Sequence, residues 1–214
     1  EPIADEVAVY TTDMMSTGFV AAENADIPVG GDVAVFAQGP VGLMATAGAR
    51  LQGAGRIFAI ETTPKRQDIA RQYGADVVID FEEEDPIQVI RDHTAGVGVD
   101  AAIEALGTPE TFAQCVEAVK PGGTVSNVGY HGRGDDVPIP REEWGVGMAE
   151  KDITTALCPG GRLRLRRLLR LLEHGRVDPT HLTTHEFAFD EVDQAFELME
   201  SKDDGVIKPL VTFE

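Results

Sequence analysis

Short apolar runs and longer mixed segments take turns along the middle of the chain. Val33-Ala-Val-Phe36 has no polar position, the pattern of a strand buried on both faces of a parallel sheet. Val41 to Gln52 follows with small and apolar residues and predicts a helix. Arg56-Ile-Phe-Ala-Ile60 predicts a second strand. Thr63-Pro64 is a helix-start signal, a cap followed by proline at the first helical position, and the helix runs to Tyr73 before Gly74. Asp76 to Ile79, Val99 to Ile103 and Thr124 to Val128 predict three further strands. Pro86 to His93 and Thr108-Pro109 to Val119 predict the helices between them, and Lys120-Pro-Gly-Gly123 predicts a turn.

Strand and helix in strict alternation predict an α/β fold, a doubly wound parallel sheet. The two ends depart from it. A short helical pattern spans about Thr17 to Ala25, without a complete strand–helix unit. After Pro159-Gly-Gly161 come a long amphipathic helix to about His174, a loop, a helix from Asp190 to Met199 and a strand from Val206 to Phe213. Three parts are expected: a lead-in over 1–16, a nucleotide-binding sheet domain over 17–157, and a C-terminal segment over 158–214.

Composition narrows the partners. The 214 residues carry 37 acids against 18 Lys and Arg, a net charge of −19. Nucleic acid and anionic membranes are therefore not expected partners. Five arginines between Arg162 and Arg170 are spaced between leucines, which predicts an exposed helix face rather than a phosphate strip. The dispersed acids and scarce lysine suit a high-salt cytoplasm, or simply an acidic enzyme. Cys115 and Cys158 form no C-x-x-C, so a reduced, cytoplasmic chain is expected, with no signal peptide before Glu1.

The candidate chemistry lies at strand ends. Ala37-Gln38-Gly39-Pro40-Val41-Gly42 joins the first strand to the first helix. Gly39 stands where backbone must approach a pyrophosphate, and Gly42 where helix must pack on strand. The helix N-terminus would point free N–H groups at the phosphates. Ala37 replaces the tight-turn glycine. Glu61 ends the second strand, 19 positions beyond Gly42, where a carboxylate can accept from both ribose hydroxyls and repels a 2′-phosphate. Lys65 and Arg66 stand close enough to serve a phosphate instead. Asp13 reads as a helix cap or a surface acid. Trp144 is expected in the core; Tyr130 is core or lines an apolar pocket beside a nicotinamide.

Several stretches together resemble the zinc-dependent medium-chain alcohol dehydrogenases, nearest the secondary-alcohol branch. They are Asp13-Met-Met-Ser-Thr-Gly-Phe19, Gly39-Pro-Val-Gly-Leu-Met44, Gly53-Ala-Gly-Arg-Ile57, Lys120-Pro-Gly-Gly-Thr124, Glu143-Trp-Gly-Val-Gly-Met148 and Leu157-Cys-Pro-Gly-Gly-Arg162. The resemblance implies a Rossmann coenzyme domain, with a C-terminal segment belonging to an incomplete second domain. It implies hydride transfer between a small alcohol, or its ketone or aldehyde, and a nicotinamide coenzyme, assisted by zinc in the full-length enzyme. Asp13 inherits the role of a metal ligand. Cofactor contacts map to Gln38, Gly39, Pro40 and Val41, to Glu61, Thr62 and Thr63, to Phe81, to Val128, Gly129 and Tyr130, and to Lys202. NADP-using members carry glycine, serine and arginine where Glu61-Thr62-Thr63 stands here, so NAD is expected over NADP. Members also carry about a hundred or more residues ahead of this chain's start, a barrel-like domain with the other zinc ligands. The catalytic residues are expected there. A homo-oligomer is implied, with Trp144 to Leu157 as a candidate contact.

Three other readings stand beside this one. A zinc-free quinone or enone reductase of the same superfamily is opposed by the Asp13 motif. A methyltransferase also carries an acid after its second strand and a turn like Lys120 to Gly123, but not Gly39-Pro-Val-Gly42. A non-catalytic nucleotide-sensing module would bind coenzyme and oxidise nothing.

Overall fold

The computed structural model describes residues 3–213, so Glu1, Pro2 and Glu214 of the expected terminal parts lie outside it. Six parallel strands form the central sheet: β1 (Asp32–Phe36), β2 (Arg56–Ile60), β3 (Val77–Ile79), β4 (Val99–Glu104), β5 (Val119–Asn127) and β6 (Asp152–Thr155). Their spatial order is β3-β2-β1-β4-β5-β6, so the chain reverses its direction of travel across the sheet between β1 and β4. This is the doubly wound α/β arrangement that the alternation predicts.

The apolar runs are explained by burial on both faces. Val33 through Phe36 of β1 are inaccessible to solvent, and Phe58, Ala59, Ala102 and Ile103 are equally so. One layer of the core joins Phe36, Phe58, Ile79, Ile90 and Phe112; the opposite side joins Val35, Ala45, Ala49, Ile57 and Ile103. Helix α3 (Pro40–Gln52) lies against α2 (Met14–Asn24), which follows the short α1 (Asp5–Ala8) and is longer than its sequence pattern indicates. The two backbones nearly touch: a Cβ on Gly18 would sit 2.7 Å from the Ala45 nitrogen. A side chain larger than hydrogen there would push the helices apart.

Helices α4 (Pro64–Tyr73), α5 (Pro86–His93) and α6 (Pro109–Ala118) each begin with proline, and α4 ends in a left-handed Gly74. The Thr108 hydroxyl accepts from the Thr111 N–H, as expected of a cap, but the Thr63 side chain makes no cap bond. The Lys120–Gly123 turn is an excursion inside β5. Pairing with β4 jumps from Val99↔Val119 to Ala101↔Thr124, which leaves Pro121 and Gly122 outside the ladder.

Two strands were not legible. β6 is a polar edge strand, Asp-Ile-Thr-Thr, without an apolar run. β7 (Thr183–Ala188) pairs in parallel with β8 (Lys208–Thr212), flanked by α7 (Arg162–Glu173) and α8 (Val192–Ser201). Arg164 departs from the exposed-face reading of its helix. It donates to both Glu23 oxygens, at 2.6 and 2.9 Å, and to the Ser16 carbonyl at 3.0 Å, clamping α7 to α2. Trp144 is also corrected: it is 37% exposed, because its segment lies outside the helix–sheet layers. Phe196, Leu163 and a stacked Phe189–Phe213 pair leave apolar surface uncovered on the C-terminal segment.

Candidate coenzyme cleft

β1 delivers the chain to Ala37 at the C-terminal edge of the sheet. Ala37 adopts φ +69°, the left-handed region where glycine is ordinarily placed, so the missing glycine costs backbone strain of about 1 kcal/mol. Gly39 then stands at the N-cap of α3 with extended backbone, and Pro40 begins the helix. Nothing lies within 4 Å of a Cβ built on Gly39, so the backbone there opens onto free space. At Gly42 the opposite holds. A Cβ would overlap the Ala37 carbonyl oxygen and reach 3.0 Å from its carbon. One glycine leaves room for a ligand and the other lets the helix close against the strand end. The first-turn N–H groups of α3 have no intrahelical partner and carry the positive end of the helix dipole.

This loop forms one wall of a cleft of about 640 Å³. The opposite walls come from Ile60, Glu61, Thr62, Thr63 and Arg66, from Phe81 and Pro86, and from Leu106, Thr111 and Gln114. Met199, Lys202 and Val206 of the C-terminal segment close one side. The cleft therefore lies at the strand C-termini where the sheet order reverses, the place where open α/β sheets bind ligands. Its residues fit a dinucleotide: an open Gly39, a helix N-terminus, and polar groups at the end of β2.

Glu61 is buried and largely engaged. Its Oε2 accepts from the Gln38 N–H at 3.1 Å, and its Oε1 from the N–H groups of Thr62 and Thr63 at 3.0 Å each. Arg66 stands 3.6 Å away, donates from Nη2 to the Val206 carbonyl, and keeps a buried Nε without a partner among the described residues. A carboxylate has about four acceptor sites, so Glu61 retains little capacity for ribose hydroxyls. It holds the glycine loop and the β2 turn together first.

The other sequence candidates divide. Gly39, Pro40, Glu61, Thr62, Thr63, Arg66, Phe81 and Lys202 line the cleft. Gln38 points its side chain into the fold, giving Nε2 to the Val35 carbonyl and accepting from Thr46. Val41 and Gly42 shape the first turn of α3 without lining the cleft. Val128 and Gly129 leave the end of β5 and donate their N–H groups to the Glu104 carbonyl, at 2.9 and 3.2 Å; the Tyr130 ring beyond them is 87% exposed. Leu106, Thr111, Gln114, Met199 and Val206 are lining residues that sequence reading did not single out.

Asp13 sits exposed at the start of α2, and its Oδ1 accepts from the Thr17 hydroxyl at 2.9 Å. Cys158 approaches the same turn through the Thr12 carbonyl. Among the described residues no three His, Cys, Asp or Glu side chains gather as a metal site. Zinc needs about three protein ligands for a catalytic centre, so these residues do not hold one by themselves. No described helix is long and apolar enough to cross a membrane.

Known proteins share the sequence and the fold of this chain. The chain is 51% identical over 207 residues to the NADP-dependent isopropanol dehydrogenase of Thermoanaerobacter brockii, covering 96% of this chain and 59% of that protein. It is 48% identical over 206 residues to an alcohol dehydrogenase of Cupriavidus necator, covering 96% and 56%. The alcohol dehydrogenase TADH from Thermus sp. ATN1 superposes with a TM-score of 0.89 at 31% identity, over all of this chain and 60% of that one. The chain thus spans somewhat less than two thirds of these relatives' length. A model of the zinc-binding dehydrogenases matches residues 40–174, from the first turn of α3 to the end of α7. The chain belongs to the zinc-binding dehydrogenase family.

Proposed function

We propose that this chain provides the coenzyme site of an alcohol dehydrogenase that interconverts a small, secondary alcohol and its ketone. The carrying observation is the cleft at the sheet reversal, with Gly39 open beside the N-terminus of α3. A dinucleotide would lay its pyrophosphate on Gly39 and the first turn of α3, and its adenosine ribose against Glu61, Thr62 and Thr63. Its nicotinamide end would lie toward β4 and β5, near Val128, Gly129 and Tyr130. Bound there, the coenzyme supplies the acceptor or donor of hydride. Residues 17–157 are the coenzyme domain in this reading, and 158–214 complete a catalytic domain. Asp13 is one candidate zinc ligand of the whole protein. The exposed Trp144, Val146, Met148 and Leu157 are the proposed contact of a homo-oligomer.

We take NAD as the preferred coenzyme, because a buried carboxylate at the end of β2 disfavours a 2′-phosphate. A second reading, NADP, is favoured by Arg66, which lines the cleft and keeps a buried Nε unpaired among the described residues, and by the name of the isopropanol dehydrogenase relative. Fluorescence titration of the chain with NADH and NADPH separates them. The expected result is NADH binding at least about tenfold tighter, a difference of about 1.4 kcal/mol. Tighter NADPH binding would transfer the 2′-phosphate to Arg66, and binding of neither would remove the coenzyme reading.

A further inference from the structure

Glu104 is a buried acid that the cleft lining does not include. It ends β4, is inaccessible to solvent, and has no Arg or Lys ion-pair partner among the described residues. Its Oε1 accepts from the Leu106 and Gly107 N–H groups, at 3.0 and 2.8 Å, and from the Thr111 hydroxyl at 2.7 Å. Its Oε2 is buried without a hydrogen-bond partner among the described residues. A methyl group on Gly129 would overlap that same oxygen, so the carboxylate lies directly behind the Gly129 backbone.

The groups facing Glu104 are few. His131 places Nε2 3.6 Å from Oε2, but the same nitrogen is 2.9 Å from Asn127 Oδ1. Asn127 uses Nδ2 to donate to the Gly129 carbonyl, which fixes its Oδ1 as the acceptor of the His131 Nε2–H. The His131 Nδ1 is buried with no hydrogen-bond partner among the described residues. The nearby Cys115 thiol is raised well above its ordinary value by burial first and by the Glu104 charge second. Among the described residues no Arg or Lys offsets the carboxylate.

Glu104 thus ties together the two loops that leave β4 and β5, on the sheet side assigned above to the nicotinamide. We propose that Glu104 is a positioning and electrostatic residue that sets the balance between oxidised and reduced coenzyme. The oxidised nicotinamide ring carries a positive charge and the reduced ring does not. A buried negative charge behind Gly129 therefore favours the oxidised form, with little solvent between to screen it. This inference rests on the coenzyme reading of the cleft.

The test measures Kd for NAD⁺, NADH and ADP-ribose in the 214-residue chain and in Glu104→Gln. The substitution keeps the shape and an acceptor for the loop N–H groups but removes the charge. The expected result is a rise of about fivefold in the ratio Kd(NAD⁺)/Kd(NADH), with ADP-ribose binding unchanged. His131→Lys leaves Glu104 in place and sets a cation beside it, and the ratio moves in the same direction. This second variant keeps the test open if the first does not fold. An unchanged ratio, or equal weakening of all three ligands, overturns the proposal and leaves Glu104 as a purely structural tie. If the unaltered chain binds no coenzyme at all, the coenzyme reading falls and this inference falls with it.

Discussion

Gly42→Ala is expected to abolish useful coenzyme binding and to destabilise the fold. The added methyl group would overlap the Ala37 carbonyl oxygen. That atom belongs to backbone rather than to a flexible side chain, so it cannot rotate aside. Relief requires either α3 to move away from β1 or the Ala37 turn to open. Ala37 already holds a left-handed φ of +69°, and its N–H donates to the Ile60 carbonyl at 3.1 Å, so the turn has little freedom. Helix α3 is held in turn by the close approach of Gly18 to Ala45. The cost is expected near the upper end for overpacking, about 3 kcal/mol, read as a lower urea midpoint at unchanged slope. Carried into the loop, the same energy weakens NADH binding by about 100-fold. A variant that unfolds and binds like the parent would show that the glycine loop is not built as described.

Glu61→Ala is expected to act through the loop before it acts through the ribose. Three backbone N–H groups, those of Gln38, Thr62 and Thr63, lose their acceptor, and Arg66 loses its only described ion-pair partner. The Gln38 N–H is buried and cannot turn to water, whereas the other two are partly open. Leaving a buried donor unpaired costs about 1–3 kcal/mol, so a loss of about 2–3 kcal/mol is expected in denaturant unfolding. The second effect is on selectivity. With the carboxylate gone, Arg66 faces the cleft as an uncompensated cation, and NADPH gains on NADH by about tenfold or more. Loss of affinity for both coenzymes in equal proportion, with no change in selectivity, would make Glu61 a structural bracket alone.

The sheet domain was largely legible because its signals are local. Buried strands announce themselves as unbroken apolar runs, and proline at the first helical turn marks α3 through α6. The glycine loop was legible for the same reason, since Gly39 and Gly42 serve backbone geometry that only glycine fits. β6 and β7 were not legible. Asp152-Ile-Thr-Thr155 is a polar edge, and Thr183 to Ala188 is a half-exposed strand whose partner lies more than twenty residues away. Helical spacing cannot reveal the Arg164 clamp, because its partner, Glu23, is 141 positions distant. Gln38 was placed in the site for its position, although its side chain turns inward to Val35 and Thr46. The wall formed by Leu106, Thr111, Met199 and Val206 depends on how β4, α6 and the C-terminal segment come together, which no single stretch encodes.

The proposed function requires the coenzyme to bind in the cleft beside Gly39. Amide hydrogen exchange of the chain with and without saturating NADH tests it directly. Protection is expected in three stretches, residues 37–44, 60–66 and 105–107, while the surface helix α7 exchanges as before. Protection absent from those three stretches, or centred on α7 instead, would contradict the claim.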